Sequence, residues 1–139
     1  MQARAGQMMD ALGGGGLIAL DGAAGGRRTG LLCWQLGPER SAEITCLVVE
    51  PDSRRRGVGK ALLEAASAAL REHPVDHSWL VTTNDNLEAL ALYQKAGYRL
   101  VELRPGAVDV LRRKVKPSIP EVASNGIPIR DELELRLEF

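Results

Sequence analysis

The residues of this chain best suited to chemistry run consecutively: Leu47-Val48-Val49-Glu50-Pro51-Asp52-Ser53-Arg54-Arg55-Arg56-Gly57-Val58-Gly59. They read as a buried strand, a proline-ended turn, a run of backbone N–H groups and a helix opening on two glycines. The helix extends from Gly57 to about His73 and is rich in Ala and Leu. Unpaired N–H groups and the positive end of the helix dipole point at one spot, which makes an anion site. Arg54, Arg55 and Arg56 surround it with positive charge. Arg54 is expected to act through its backbone more than its side chain, and Arg55 reads as a solvated charge. The loop is not a phosphate-binding P-loop, because no Gly-Lys-Ser/Thr follows. It is not a dinucleotide fingerprint, because Gly57-x-Gly59 lacks the third glycine and the ribose acid.

Two further groups stand out. Downstream lie Asn86-x-x-Ala89, Leu92-Tyr93 and Gly97-Tyr98. Upstream, Glu43 lies in a strand where strict alternation gives it the face of Thr45, Leu47 and Val49. It reads equally as a surface glutamate, and Glu50 reads as a solvated turn residue.

Arg54-x-x-Gly57-x-Gly59, set between Val49-x-Pro51 and an amphipathic helix, resembles the Gcn5-related N-acetyltransferase (GNAT) superfamily. The Asn86 to Tyr98 pattern resembles the second cofactor motif of that family. The resemblance covers roughly Leu17 to Tyr98. It implies an α/β (α+β) acyl-CoA N-acyltransferase fold, with a mixed, mainly antiparallel sheet flanked by helices. It implies acetyl-CoA as co-substrate, no metal, and transfer of acetyl to a primary amine by direct attack on the thioester. The pyrophosphate would meet the loop and helix residues Arg54, Arg55, Arg56, Gly57, Val58, Gly59 and Lys60. Backbone N–H groups of Leu47, Val48 and Val49 would hold the thioester carbonyl. Asn86, with Ala89 beside it, would contact the cofactor arm. Tyr93 would approach the sulfur as general acid, since a phenol of pKa about 10 suits a leaving thiolate. The competing reading of Tyr93 is a core tyrosine. Glu43 occupies the place where histone-acetylating members carry their glutamate base, eleven residues before Arg54; many members use an ordered water chain instead.

The chain departs from the family at its N-terminus. Family members begin with a strand and two helices, whereas about 16 glycine-rich residues precede Leu17 here. The first strand and first helix read as missing, with at most a helical remnant near Met8 to Leu12. The acceptor half is therefore thin. A partner subunit or the long loop Lys116–Pro128 would complete it, or activity is reduced. The alternative function is a non-catalytic acyl-CoA-binding module, and a weaker third is a purely structural subunit. An exposed edge at Leu17–Leu20 favours pairing with another chain, so a homodimer is expected.

The elements that must position these residues follow from periodicity and turn residues. Strands are expected at Leu17–Leu20, Thr29–Leu36, Ser41–Val49, Ser78–Thr83, Tyr98–Leu103 and Glu132–Phe139. The last alternates strictly, with Leu133, Leu135, Leu137 and Phe139 inward. Helices follow at Gly57, at Asn84-Asp85-Asn86 with its N-cap chemistry, and at Pro105-Gly106. Nine of the 15 glycines fall in the first 30 residues, so residues 1–16 are expected to be loosely held.

Composition narrows the partners. The 139 residues carry 18 basic and 18 acidic side chains, a net charge of zero, so neither nucleic acid nor membrane is an expected partner. One domain is expected, with no apolar signal core and a cytoplasmic setting. Cys33 and Cys46 read as buried free thiols; a disulfide is possible geometrically but not expected in the cytoplasm. Pro74 separates His73 from His77 and breaks any helix that would align them on a metal. Trp34 and Trp79 read as core or sheet-edge packing.

Overall fold

The computed structural model describes residues 3–9, 14–21 and 26–139, with residues 3–9 and Asp21 given by backbone alone. The elements in chain order are β1 (Ala3–Met9), β2 (Gly14–Asp21), β3 (Arg27–Gly37), β4 (Ser41–Val49), a 3-10 turn (Pro51–Ser53), α1 (Val58–Leu70), β5 (His77–Thr83), α2 (Leu87–Lys95), β6 (Arg99–Arg104), α3 (Ala107–Lys114) and β7 (Glu132–Glu138). They form two compact units, Met1–Trp79 with Leu137–Phe139, and Leu80–Arg136. Strands β5 and β7 run through both.

In the first unit the strand order is β1-β2-β3-β4-β5. The first four strands are antiparallel to their neighbours, and β5 is parallel to β4. Alternation along β3 sends Leu32 and Trp34 to one face, where both are buried. Helix α1 covers that face with Val58, Leu62, Leu63, Ala66 and Leu70, all buried. The 3–4 residue spacing of these side chains gives the helix one broad apolar stripe. Gly30 lets it approach closely: a Cβ there would lie 2.9 Å from Leu62 and 3.1 Å from Val58. Each fully buried leucine contributes about 1.5–3 kcal/mol.

The N-terminal reading needs correction. A strand, not loose chain, occupies Ala3–Met9, and it pairs along β2 from Ala3 opposite Asp21 to Met9 opposite Gly15. Met8 and Met9 belong to that strand rather than to a helical remnant; residues 10–13 lie outside the described residues. β2 begins at Gly14 rather than Leu17. Glycine count misleads here because the ladder, not side-chain propensity, fixes these residues. Gly15 also has a packing reason: a Cβ would stand 2.5 Å from the Trp34 ring. With β1 in place β2 is not an edge, which removes the stated reason for pairing with another chain. No helix precedes β4 among the described residues.

In the second unit the order is β5-β7-β6, with β6 antiparallel to β7. Leu135 is fully buried, whereas Leu133 is half-buried. The segment after α3 has no strand or helix before Glu132, as its prolines dictate, yet it is pinned. The Arg112 guanidinium donates to the carbonyls of Ile119 (2.9 Å), Pro120 (2.8 Å) and Ile129 (2.8 Å), and to Asp109 (2.9 Å). Asn84 donates to the Pro128 carbonyl and accepts from the N–H groups of Arg130 and Asp131. The loop is thus held by side chains where secondary structure is unavailable.

Two stability effects follow. Gly15→Ala should destabilise by about 1–3 kcal/mol through displacement of Trp34, read by urea unfolding. Arg112→Met should free the loop, since it leaves three carbonyls and Asp109 without their donor. Limited proteolysis between Lys116 and Pro128 should quicken; unchanged cleavage would show that Arg112 does not hold the loop.

Candidate functional site

Strand β4 carries the candidate site. It pairs with β5 through only three residues: Ser41 with His77, Ala42 with Ser78 and Glu43 with Trp79. From Ile44 to Val49 it has no ladder on that side among the described residues. The cause lies on its other edge. Cys33 of β3 opposes Cys46, but Trp34 opposes Ile44, so Thr45 is an extra residue. Such a β-bulge bends its strand and increases the local twist. The bent half of β4 therefore offers backbone N–H and C=O groups along a free edge.

The bulge also corrects a facing. Leu47 opposes Leu32, and Ile44 opposes Trp34, which puts both on the α1 side. Glu43 opposes Gln35, Cys46 opposes Cys33 and Val48 opposes Leu31, on the other side. Glu43 therefore shares its face with Cys46 and Val48, not with Leu47 and Val49. Val48 is 54% exposed, and Glu43 is half-buried.

Beyond β4 the chain turns onto α1. The N–H of Glu50 donates to the Thr29 carbonyl (2.8 Å), that of Ser53 to Glu50 (2.8 Å) and that of Arg54 to Pro51 (3.3 Å). Arg54 Nε donates back to the Val49 carbonyl (3.3 Å). Arg54 thus braces the turn with its backbone and one of its five guanidinium donors. Arg55 holds φ at 64° and Gly57 at 79°, both left-handed. An arginine rarely adopts that conformation, and observed strain of this kind marks functional loops. A Cβ at Gly57 would meet nothing within 4 Å, so the loop faces open space there. The first intrahelical bond runs from Ala61 N–H to the Gly57 carbonyl (3.0 Å), and no side chain caps the helix. The N–H groups of Val58, Gly59 and Lys60 precede that bond and have no intrahelical acceptor. Lys60 itself pairs with Glu64 at 3.8 Å.

Sequence reasoning missed three features of this region: the bulge, the left-handed Arg55 and Ser53. Ser53 is 1% exposed, and its Oγ has no hydrogen-bond partner. A buried orphan hydroxyl is uncommon. Its only sequence signal is a serine between the proline turn and the arginines.

One group of metal-ligand type stands at the start of β5. Ligand atoms of Asp76, His77 and Glu138 lie within 4.8 Å of one another. His77 Nδ1 stands 2.6 Å from one Asp76 oxygen, and Arg40 Nε stands 3.4 Å from the other. The His77 hydrogen bond holds the Asp76 carboxyl below its ordinary value. Both oxygens are thus already engaged, as an ion-pair network requires.

The second unit contains the downstream motif. Asn86 is the N-cap of α2, and its Oδ1 accepts from the Ala89 N–H (3.2 Å). The two motif residues therefore meet in one hydrogen bond, which leaves the exposed Asn86 amide NH2 as a donor. Tyr93 is half-buried on α2. Its ring lies 6.4 Å from the buried Tyr98 ring, tilted by 58°. Gly97 at φ 99° ends the helix and lets the chain turn into β6.

The family model described as "Acetyltransferase (GNAT) family" matches residues 8–98. The chain belongs to the GNAT acetyltransferase family. Among relatives, an uncharacterized protein YxbD of Bacillus subtilis is 52% identical over 99 residues, covering 70% of this chain and 62% of that protein. A mycothiol acetyltransferase of Clavibacter sepedonicus is 40% identical over 98 residues, covering 70% of this chain and 30% of that protein. The chain thus spans less than two thirds of the length of these relatives. A Bacillus subtilis acetyltransferase solved in complex with CoA superposes with a TM-score of 0.83 at 19% identity, covering 99% of both chains. An IAA acetyltransferase from Bacillus cereus gives 0.77 at 25% identity, covering 91% of this chain and 79% of that one. The GNAT fold is therefore shared over nearly the whole chain. No helix among the described residues is long and apolar enough to cross a membrane.

Gly57→Ala should cost about 1–2 kcal/mol, since only the left-handed backbone penalises the methyl group. Gly57→Asn should cost less, because asparagine tolerates that conformation better. Equal losses in thermal unfolding would show that the loop leaves the left-handed region readily.

Proposed function

We propose that this GNAT protein transfers the acetyl group of acetyl-CoA to a primary amine, with the cofactor arm laid along the free edge of β4. The observation that carries this reading is the three-residue β4–β5 ladder. An edge released at Glu43 and leading to an uncapped helix N-terminus fits an elongated ligand with an amide-bearing arm and a diphosphate. The orphan hydroxyl of Ser53 lies under the same turn. CoA-bound structures of the same fold support the assignment.

When bound, acetyl-CoA supplies an activated acyl carbon and a thiolate leaving group. N–H groups of Leu47 and Val49 stabilise the negative charge that grows on the carbonyl oxygen; that of Val48, expected to join them, faces β3 instead, as does the Glu50 N–H two residues on, which donates to the Thr29 carbonyl. Such preorganised donors are worth about 10²–10³ in rate. The N–H groups of Gly57, Val58, Gly59 and Lys60, with Arg55 and Arg56, hold the diphosphate; Arg54 shapes the turn. Glu43 takes a proton from the amine, whose ordinary pKa of roughly 10 keeps it charged at neutral pH. Tyr93 gives a proton to the departing sulfur. Asn86, Ala89 and Tyr93 enter this reading through the resemblance of the downstream motif. A primary amine is the acceptor class; the mycothiol and ribosomal-protein acetyltransferase names belong to relatives.

Steady-state acetylation of an amine panel tests the reading. Tyr93→Phe should lower kcat by about 10²-fold with the cofactor Kd unchanged. Glu43→Gln should lower kcat with the cofactor Kd unchanged. Cofactor binding with no turnover on any amine would instead support a non-catalytic acyl-CoA-binding module. No binding at millimolar acetyl-CoA would refute both.

A further inference from the structure

The two cysteines are ladder partners. Cys33 of β3 stands directly opposite Cys46 of β4. Directly opposed antiparallel residues hold their Cβ atoms about 4.5–5.5 Å apart, and a disulfide needs about 3.5–4.5 Å. The strands must therefore approach by no more than about 1–2 Å. Both cysteines are free and half-buried. Cys46 directly follows the extra residue Thr45, where an interrupted ladder yields more easily than a regular one. Across β2, the partner of Cys33 is Gly16, so no side chain stands beside the sulfur from that strand. The pair occupies the face of Glu43 and Val48, opposite α1. The acetyl transfer proposed above uses neither thiol.

We propose that Cys33 and Cys46 form a dithiol modification site, which reacts with low-molecular-weight disulfides and closes to an intramolecular disulfide. The Cys46 thiolate attacks one sulfur of the small disulfide. An S–S bond forms to Cys46, and the released thiolate takes up a proton. Cys33 then loses its proton and attacks the Cys46 sulfur, expelling the second small thiol. Two protein thiols are oxidised and one small disulfide is reduced to two thiols. Burial, and then the neighbouring Cys46, push the Cys33 thiol above its ordinary value. Cys33 therefore remains protonated longer and serves as the resolving group. The site is independent of acetyl transfer and stands or falls separately from it.

The test uses the full chain, excess glutathione disulfide, an acid quench and intact mass measurement. The expected product is a protein lighter by two hydrogens, with no glutathione attached, formed at a rate independent of protein concentration. Dithiothreitol should restore the original mass. Cys33→Ser should stop at one stable glutathione adduct on Cys46. Cys46→Ser should react more slowly than Cys33→Ser. Stable glutathione adducts on the unmodified chain would overturn the proposal, as would disulfide-linked dimers. A folded chain that fails to close while the guanidinium-denatured chain does so would also overturn it.

Discussion

The site depends on a constraint in β4: the strand cannot pair fully with both neighbours. The extra residue Thr45 shifts the β3 ladder by one residue and bends β4, whose pairing with β5 covers only Ser41 to Glu43. A regular β4 would bury its N–H groups in two ladders. The bulged β4 leaves half of one edge open, and an open edge accepts an extended ligand by hydrogen bonding. Placement of α1 follows, because the proline turn at Pro51 carries the chain from the end of that edge directly to an uncapped helix start.

The packing supports this geometry. Leu32 and Trp34 on β3 anchor α1 from beneath, and Gly30 and Gly15 allow the close approaches that seat the helix and the tryptophan ring. The helix start is thus fixed by the core, while the loop before it stores left-handed strain at Arg55. A rigid helix behind a strained loop is preorganised: the N–H donors need not be gathered when a ligand arrives.

Much of this was legible in sequence. Strict alternation marked β7, Ala and Leu spacing marked α1, and Gly97 marked the end of α2. The glycine pair after the arginines, with the Asn86 to Tyr98 pattern, pointed to the family. Other features were not legible, for separate physical reasons. A bulge depends on the register between two strands, and Thr45 carries no local sign of it. The strand at Ala3–Met9 is fixed by its ladder to β2, so a glycine count misjudged it. The hold of Arg112 on three carbonyls depends on where a proline-rich loop returns, which no spacing rule describes. Glu43 was chosen by its position, but its facing was misread because alternation fails across a bulge.

Amide NMR of the full chain with and without acetyl-CoA tests the central claim most directly. The β4 edge and the start of α1 are assigned as one continuous ligand track. The cofactor should shift the amides of Leu47 and Val49 and of Gly57 to Lys60 together and slow their hydrogen exchange, while the β3-facing amides of β4, Val48 among them, stay unchanged. Binding that perturbs the α1 start but leaves Leu47 and Val49 untouched would contradict the account, because the released edge would then have no part in holding the ligand.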